Sequence, residues 1–147
     1  MCSSHATVRG LLHELPTGDL DVVVVDNEAS PEHLSRSTTE AVDVMLVVAE
    51  PYFKSLETAR RYAGLGKDLG IANVVVVANK VRGEDDLSAI QGFCDSHDLK
   101  LLGAVPFDET LAQAERSGVP PLEHDPGAPS VRAVEGLVEH ILRLAAA

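Results

Sequence analysis

Tryptophan is absent from the 147 residues of this chain, and only two tyrosines and three phenylalanines are present. Its core must therefore be aliphatic, and a hydrophobic content of 45% is enough to fill one. Cysteine is scarce too: Cys2 and Cys94 are too few for a disulfide framework, so a reducing cytoplasm is the expected location. No apolar run approaches the roughly 20 residues of a membrane helix, and the N-terminus lacks the basic-then-apolar order of a signal peptide. Positive charge is outnumbered, with 12 Lys and Arg against 23 Asp and Glu and a net charge of −11. That argues against a general nucleic-acid or anionic-membrane surface, because Lys and Arg supply those affinities. A nucleotide site stays open, since it needs only local cations or backbone amides. One more absence matters: neither G-x-x-x-x-G-K-[ST] nor K-G-G-x-G-K-T occurs, so nothing in the sequence cradles a phosphate.

What is present is an alternation of strand and helix signals. Val8, Leu11, Leu12 and Leu15 predict a helix over Thr7–Leu15, ended by Pro16 and Gly18. Leu20–Asp26 reads as a strand whose continuous valines suit burial on both faces, as in parallel sheets. Ser30 and Pro31 can open a helix to about Ala41. Val42–Ala49 is a second buried strand. Ser55–Leu69 is helical, with Leu56, Ala59, Ala63 and Leu69 toward the sheet and Gly70 as its stop. Val74–Ala78 is the third strand. Asp86–Cys94 is a short helix using Leu87, Ile90, Phe93 and Cys94, and Leu99–Val105 is the fourth strand, closed by Pro106. Asp108 can cap a helix to about Ser117. Val119–Pro129, with four prolines, reads as a loop. Ser130 then caps a last helix with a buried stripe of Val131, Val134, Val138 and Ile141. The expectation is one α/β domain over residues 1–147, with a mainly parallel sheet of about four strands flanked by helices.

Open parallel sheets bind ligands beyond the carboxyl ends of their strands. Polar residues stand at three such ends: Asp26-Asn27-Glu28, Asn79-Lys80 and Pro106-Phe107-Asp108. A buried strand that delivers an acid to its end can place Asp26 as a water-mediated magnesium partner, or Asp26 can simply cap a turn. Asn79 can pair with an adenine edge through its amide, or close an Asx turn. Phe107 can lie on a base and Asp108 can accept from it, although Asp108 is equally a good helix cap. Cys2 with His5 makes C-x-x-H, half of a soft-metal site that a symmetric dimer could complete, or an exposed terminus. Cys94 sits on an apolar helical face and reads as core. No nucleophile-elbow context surrounds the serines, which argues against a hydrolase triad.

The stretches VVVVDNEASPEHLSRSTTEAVDVMLVVAEP, SLETAR, VVVANKV and GAVPFDETLAQAERSG resemble the CooC-type accessory ATPases that mature carbon monoxide dehydrogenase, within the MinD/ParA-like P-loop group. The resemblance implies a truncated Rossmann-like P-loop NTPase core with ATP and magnesium as cofactors. Asp26 would be the magnesium-linked acid and Asn79 the adenine reader. Lys80 would stand beside it, and the loop Pro106, Phe107 and Asp108 would pack against the ring. Cys2 resembles the second cysteine of a C-x-C pair that bridges two subunits through nickel or zinc. A homodimer and a nickel-enzyme client such as carbon monoxide dehydrogenase are the implied partners. Ser30 departs from the glycine that the family pattern has there, which puts the switch action of that loop in question.

The resemblance also implies that the P-loop half is missing, so hydrolysis is expected to be impaired or absent. The alternative function is a non-catalytic module that dimerises or docks on a partner. In this class the P-loop strand lies between the strands corresponding to Leu20–Asp26 and Val42–Ala49. Without it, two rows of backbone groups lack partners, each buried orphan costing roughly 1–3 kcal/mol. Either the two strands close together, another polypeptide fills the gap, or stability suffers.

Overall fold

A valine-rich segment becomes a strand when a neighbour completes its backbone hydrogen bonds, and three segments here meet that condition. The computed structural model describes residues 22–26 and 42–146. Within them, β1 (Val44–Ala49), β2 (Asn73–Val81) and β3 (Lys100–Pro106) form a parallel sheet in the order β1-β2-β3. Parallel neighbours need crossover connections. These are α1 (Phe53–Asp68) between β1 and β2, and α2 (Glu84–Ser96) between β2 and β3. After β3 come α3 (Glu109–Ser117), the short α4 (Pro121–His124) and α5 (Pro129–Ala145). The α/β class and the flanked parallel sheet are as the alternation predicts, but the described sheet has three strands rather than four.

The difference lies at Val22–Asp26. This run carries no strand pairing, and Val22 to Val25 are all exposed, Val24 by 87%. No described strand runs alongside it, so its amides and carbonyls have no ladder to join. The outer edge of β1 likewise has no strand partner among the described residues. The helices expected over residues 7–15 and 31–41, and Cys2 with His5, lie outside the described residues.

Two aliphatic cores sandwich the sheet. On one face, Leu56, Ala59 and Ala63 of α1 and Ile90 and Cys94 of α2 bury against Val47, Ala49, Val76 and Ala78. Cys94 is core, as its helical face suggested, and burial pushes its thiol pKa up. Gly66, not Leu69, completes the α1 face. A Cβ there would lie 2.6 Å from the Met45 sulfur, so any larger residue would have to push the Met45 side chain aside. Leu69 becomes the helix C-cap, and Gly70 turns the chain at φ +86°.

On the other face α5 packs across the sheet. Leu137 meets Val77 and Val105, with Leu102, Ala133 and Ile141 around them. The expected stripe was rotated relative to this: Val131 and Ile141 face inward, whereas Val134 and Val138 are about half exposed. The cause is Gly103 in β3, whose missing side chain admits Leu137 so closely that a Cβ would meet Leu137 Cδ2 at 2.7 Å. That hole fixes which face of α5 turns inward, which helical spacing alone leaves open. The segment expected as loop between α3 and α5 holds the one-turn α4, started by Pro121 at its first position. Among the described residues no helix is long and apolar enough to cross a membrane.

Candidate functional site

The carboxyl ends of the three strands form one rim. There β2 does not end cleanly. Its pairing with β3 runs Ala78↔Ala104 and resumes at Val81↔Pro106, so Asn79 and Lys80 form a bulge with one residue more than the facing strand. Lys80 sits at φ +56°, a left-handed conformation uncommon for a side chain other than glycine or asparagine. Bulges of this kind re-aim side chains at the margins of sites. Asn79 is half-buried and takes part in no side-chain hydrogen bond among the described residues.

Lys80 reaches back to β1. Its ammonium donates to Glu50 Oε1 at 2.8 Å, which raises the Lys80 pKa. Both side chains are partly solvated, so the pair is a surface ion pair of modest strength. It nevertheless ties the ends of β1 and β2 together. Tyr52 and Phe53, just after Glu50, are exposed. With Phe107, they place three of the chain's five aromatic residues just beyond β1 and β3, Tyr52 and Phe107 on the loops and Phe53 at the start of α1.

Phe107 follows β3 and donates its N–H to Val81 O at 2.9 Å, pinning the end of β3 to the far side of the bulge. Its ring is 42% exposed. The guanidinium of Arg82 lies over that ring, 4.4 Å from its centroid. Arg82 was not singled out from sequence. The available signal was its place three residues after Asn79, in the loop that opens α2. Its own N–H donates to Asp86 Oδ2 at 2.9 Å, which fixes that loop. Arg82 to Asp86 line a shallow surface notch of about 290 Å³.

Asp108 serves the helices. Oδ1 accepts from the Thr110 N–H at 2.9 Å and caps α3. Oδ2 accepts from Ser130 N–H at 3.1 Å and Ser130 Oγ at 2.9 Å, satisfying an orphan donor in the first turn of α5. These donors, led by the Ser130 amide, hold its pKa down at about 2. Ser130 is not the α5 cap that its sequence position suggested. It is the second helical residue, buried, and its hydroxyl turns to Asp108.

The structure thus brings Asn79, Lys80, Pro106, Phe107 and Asp108 to one rim. Asp26 is exposed at the end of the unpaired valine run. Cys2 lies outside the described residues, among which no three metal-ligating side chains gather.

This architecture is the MinD fold. The septum site-determining protein MinD from Pyrococcus horikoshii, complexed with Mg-ADP, matches with a TM-score of 0.76 at 19% identity, over 96% of this chain and 58% of that one. In sequence the chain is 40% identical over 119 residues to the carbon monoxide dehydrogenase accessory protein CooC of Rhodospirillum rubrum, covering 81% of this chain and 44% of that protein. It is 38% identical over 144 residues to the uncharacterized ATP-binding protein MJ0823 of Methanocaldococcus jannaschii, covering 98% of this chain and 55% of that one. The chain is therefore homologous to the CooC- and MJ0823-type ATP-binding proteins, within the MinD/ParA-like P-loop group. No family model matches it. The chain spans about half the length of the curated relatives it matches.

Proposed function

We propose that the chain binds an adenine nucleotide at the carboxyl rim, as part of a MinD/CooC-like ATPase. The observation that carries this is the bulge at Asn79 and Lys80. It interrupts a buried strand to leave a half-buried amide, without a side-chain hydrogen bond among the described residues, on the same sheet rim as the exposed Phe107. An asparagine amide offers the donor and acceptor that match adenine's ring nitrogen and exocyclic amine. Pro106 and Phe107 pack on the base, and Asp108 holds their loop against two helix starts. Lys80, restrained by Glu50, adds positive charge. Asp26 serves magnesium through water. When bound, magnesium neutralises charge on the phosphates. The ATP-binding relatives and the Mg-ADP of the Pyrococcus horikoshii protein support nucleotide and magnesium.

Hydrolysis by this chain alone is proposed to be weak or absent. Phosphoryl transfer depends on positioned amides and lysine around the phosphates, and no stretch of the 147 residues has that pattern. The cellular role proposed from the CooC homology is nickel insertion into an enzyme of the carbon monoxide dehydrogenase type, in the cytoplasm. Cys2 would hold nickel or zinc at a homodimer interface. A second reading, a non-catalytic module that docks on a partner, is favoured by one observation: the β1 edge, which has no strand partner among the described residues, with exposed Leu46 and Val48.

Thermal unfolding with and without millimolar Mg-ATP separates the two. Ligand at 100 times its dissociation constant stabilises by about 2.7 kcal/mol, so the nucleotide reading gives a rise of several degrees that Asn79→Ala removes. An unmoved midpoint favours the docking module. Dimer content with nickel, with zinc and with neither tests the metal idea, and equal dimerisation in wild type and Cys2→Ser removes Cys2 from the site.

A further inference from the structure

Arg82 is followed by three acids, Glu84, Asp85 and Asp86, yet its guanidinium makes no ion pair among the described residues. It lies on the Phe107 ring instead. Two restraints put it there. The Asp86 carboxylate holds its backbone N–H, and the Phe107 N–H is bonded to Val81 O, the residue just before Arg82. The two planar groups are therefore anchored on adjacent backbone, at the end of the strand that carries Asn79.

We propose that Arg82 is a stacking residue for the nucleobase: the Arg82–Phe107 pair is a preformed platform on which the base is laid while Asn79 reads its edge. This rests on the nucleotide reading above and adds to it a residue and a division of labour. A guanidinium is flat and weakly hydrated, and it can stack on one aromatic plane while offering its other face to a second. Stacking is tolerant of base identity, because every base has a π-face. The edge contact of an asparagine amide discriminates, because it fits adenine and not guanine. Arg82 thus supplies affinity for any purine, and Asn79 supplies the preference for adenine. The phosphates play no part in the Arg82 contact, although a cation at a nucleotide site would ordinarily be assigned to them.

The test uses the full chain with ATP, GTP, adenosine and inorganic tripolyphosphate as separate probes. Arg82→Ala is expected to weaken ATP, GTP and adenosine alike by about tenfold, with tripolyphosphate giving no binding in either protein. Arg82→Lys, which keeps the charge and loses the plane, recovers little. In the wild-type chain, the Arg82 Nε–H resonance, displaced by the Phe107 ring, is expected to move on adding adenosine and to stay still with tripolyphosphate. This measurement needs no variant to fold. Unchanged ATP affinity in Arg82→Ala, beside a wild type that binds ATP, overturns the stacking role and leaves the nucleotide reading standing. A loss shared by tripolyphosphate also overturns it, by moving Arg82 to the phosphates. A wild type that binds neither ATP nor adenosine takes both down.

Discussion

Asp108 Oδ2 accepts both the N–H and the hydroxyl of Ser130, 22 residues further along the chain, at 3.1 and 2.9 Å. With Oδ1 on the Thr110 N–H, one carboxylate closes the starts of α3 and α5 together. An acid at two helix N-termini is also favoured by both macrodipoles. Its pKa falls from the ordinary 3.8 to about 2. A carboxylate lowered by folding stabilises the native state above its unfolded pKa, and that contribution fades as pH drops through the folded value. The melting temperature should therefore fall between about pH 4 and pH 2 more steeply in wild type than in Asp108→Asn. At neutral pH, Asp108→Ala should lower it by about 5 °C. Thermal unfolding followed by circular dichroism against pH measures both.

Gly103 and Leu137 form a matched hole and knob. Gly103→Ala places a methyl group 2.7 Å from Leu137 Cδ2, and overpacking of this kind costs about 1–3 kcal/mol. Leu137→Ala, at a buried position, costs about 2–5 kcal/mol. The double variant should be more stable than the sum of the two losses implies, by about 1 kcal/mol or more. Urea unfolding of the four proteins closes the cycle.

Lys80 at φ +56° makes the bulge testable by substitution. Asparagine and glycine tolerate this conformation, and β-branched residues do not. Lys80→Asn loses an exposed ion pair and should melt within about 3 °C of wild type. Lys80→Val should melt about 5 °C or more lower. Similar melting of the two variants would mean that the backbone there is not held left-handed.

Among the described residues the outer edge of β1 has no strand partner, and an edge of that kind should make the chain self-associate. Leu46 and Val48 are 41% and 59% exposed on an edge strand, and such edges pair with other chains unless charged or covered. Val48→Lys should shift the sedimentation profile toward monomer with little change in stability. An unchanged profile would place any association elsewhere.

The sheet, both crossovers and the α3 boundaries were legible because local signals agreed: aliphatic runs, helical spacing, and Asp108 and Gly118 bracketing a helix. The rotation of α5 was not, since Val134 and Leu137 are equally good core residues until the hole at Gly103 is known. Nor was the fate of Val22–Val25. Its residues are strong strand formers, but pairing depends on a neighbour that periodicity within the run cannot supply. At the rim, Asn79 and Phe107 could be found as polar and aromatic residues at strand ends. The bulge and the Arg82 stack could not, because both depend on how β2 and β3 fall out of register.

The central claim is that this chain grips a nucleotide by its base rather than by its phosphates. Isothermal calorimetry of adenosine, ATP and tripolyphosphate against the wild-type chain tests it most directly. Adenosine and ATP should bind with affinities within about tenfold of each other, a spread of about 1.4 kcal/mol, while tripolyphosphate gives no heat. Tripolyphosphate binding as tightly as ATP, with adenosine silent, would contradict it.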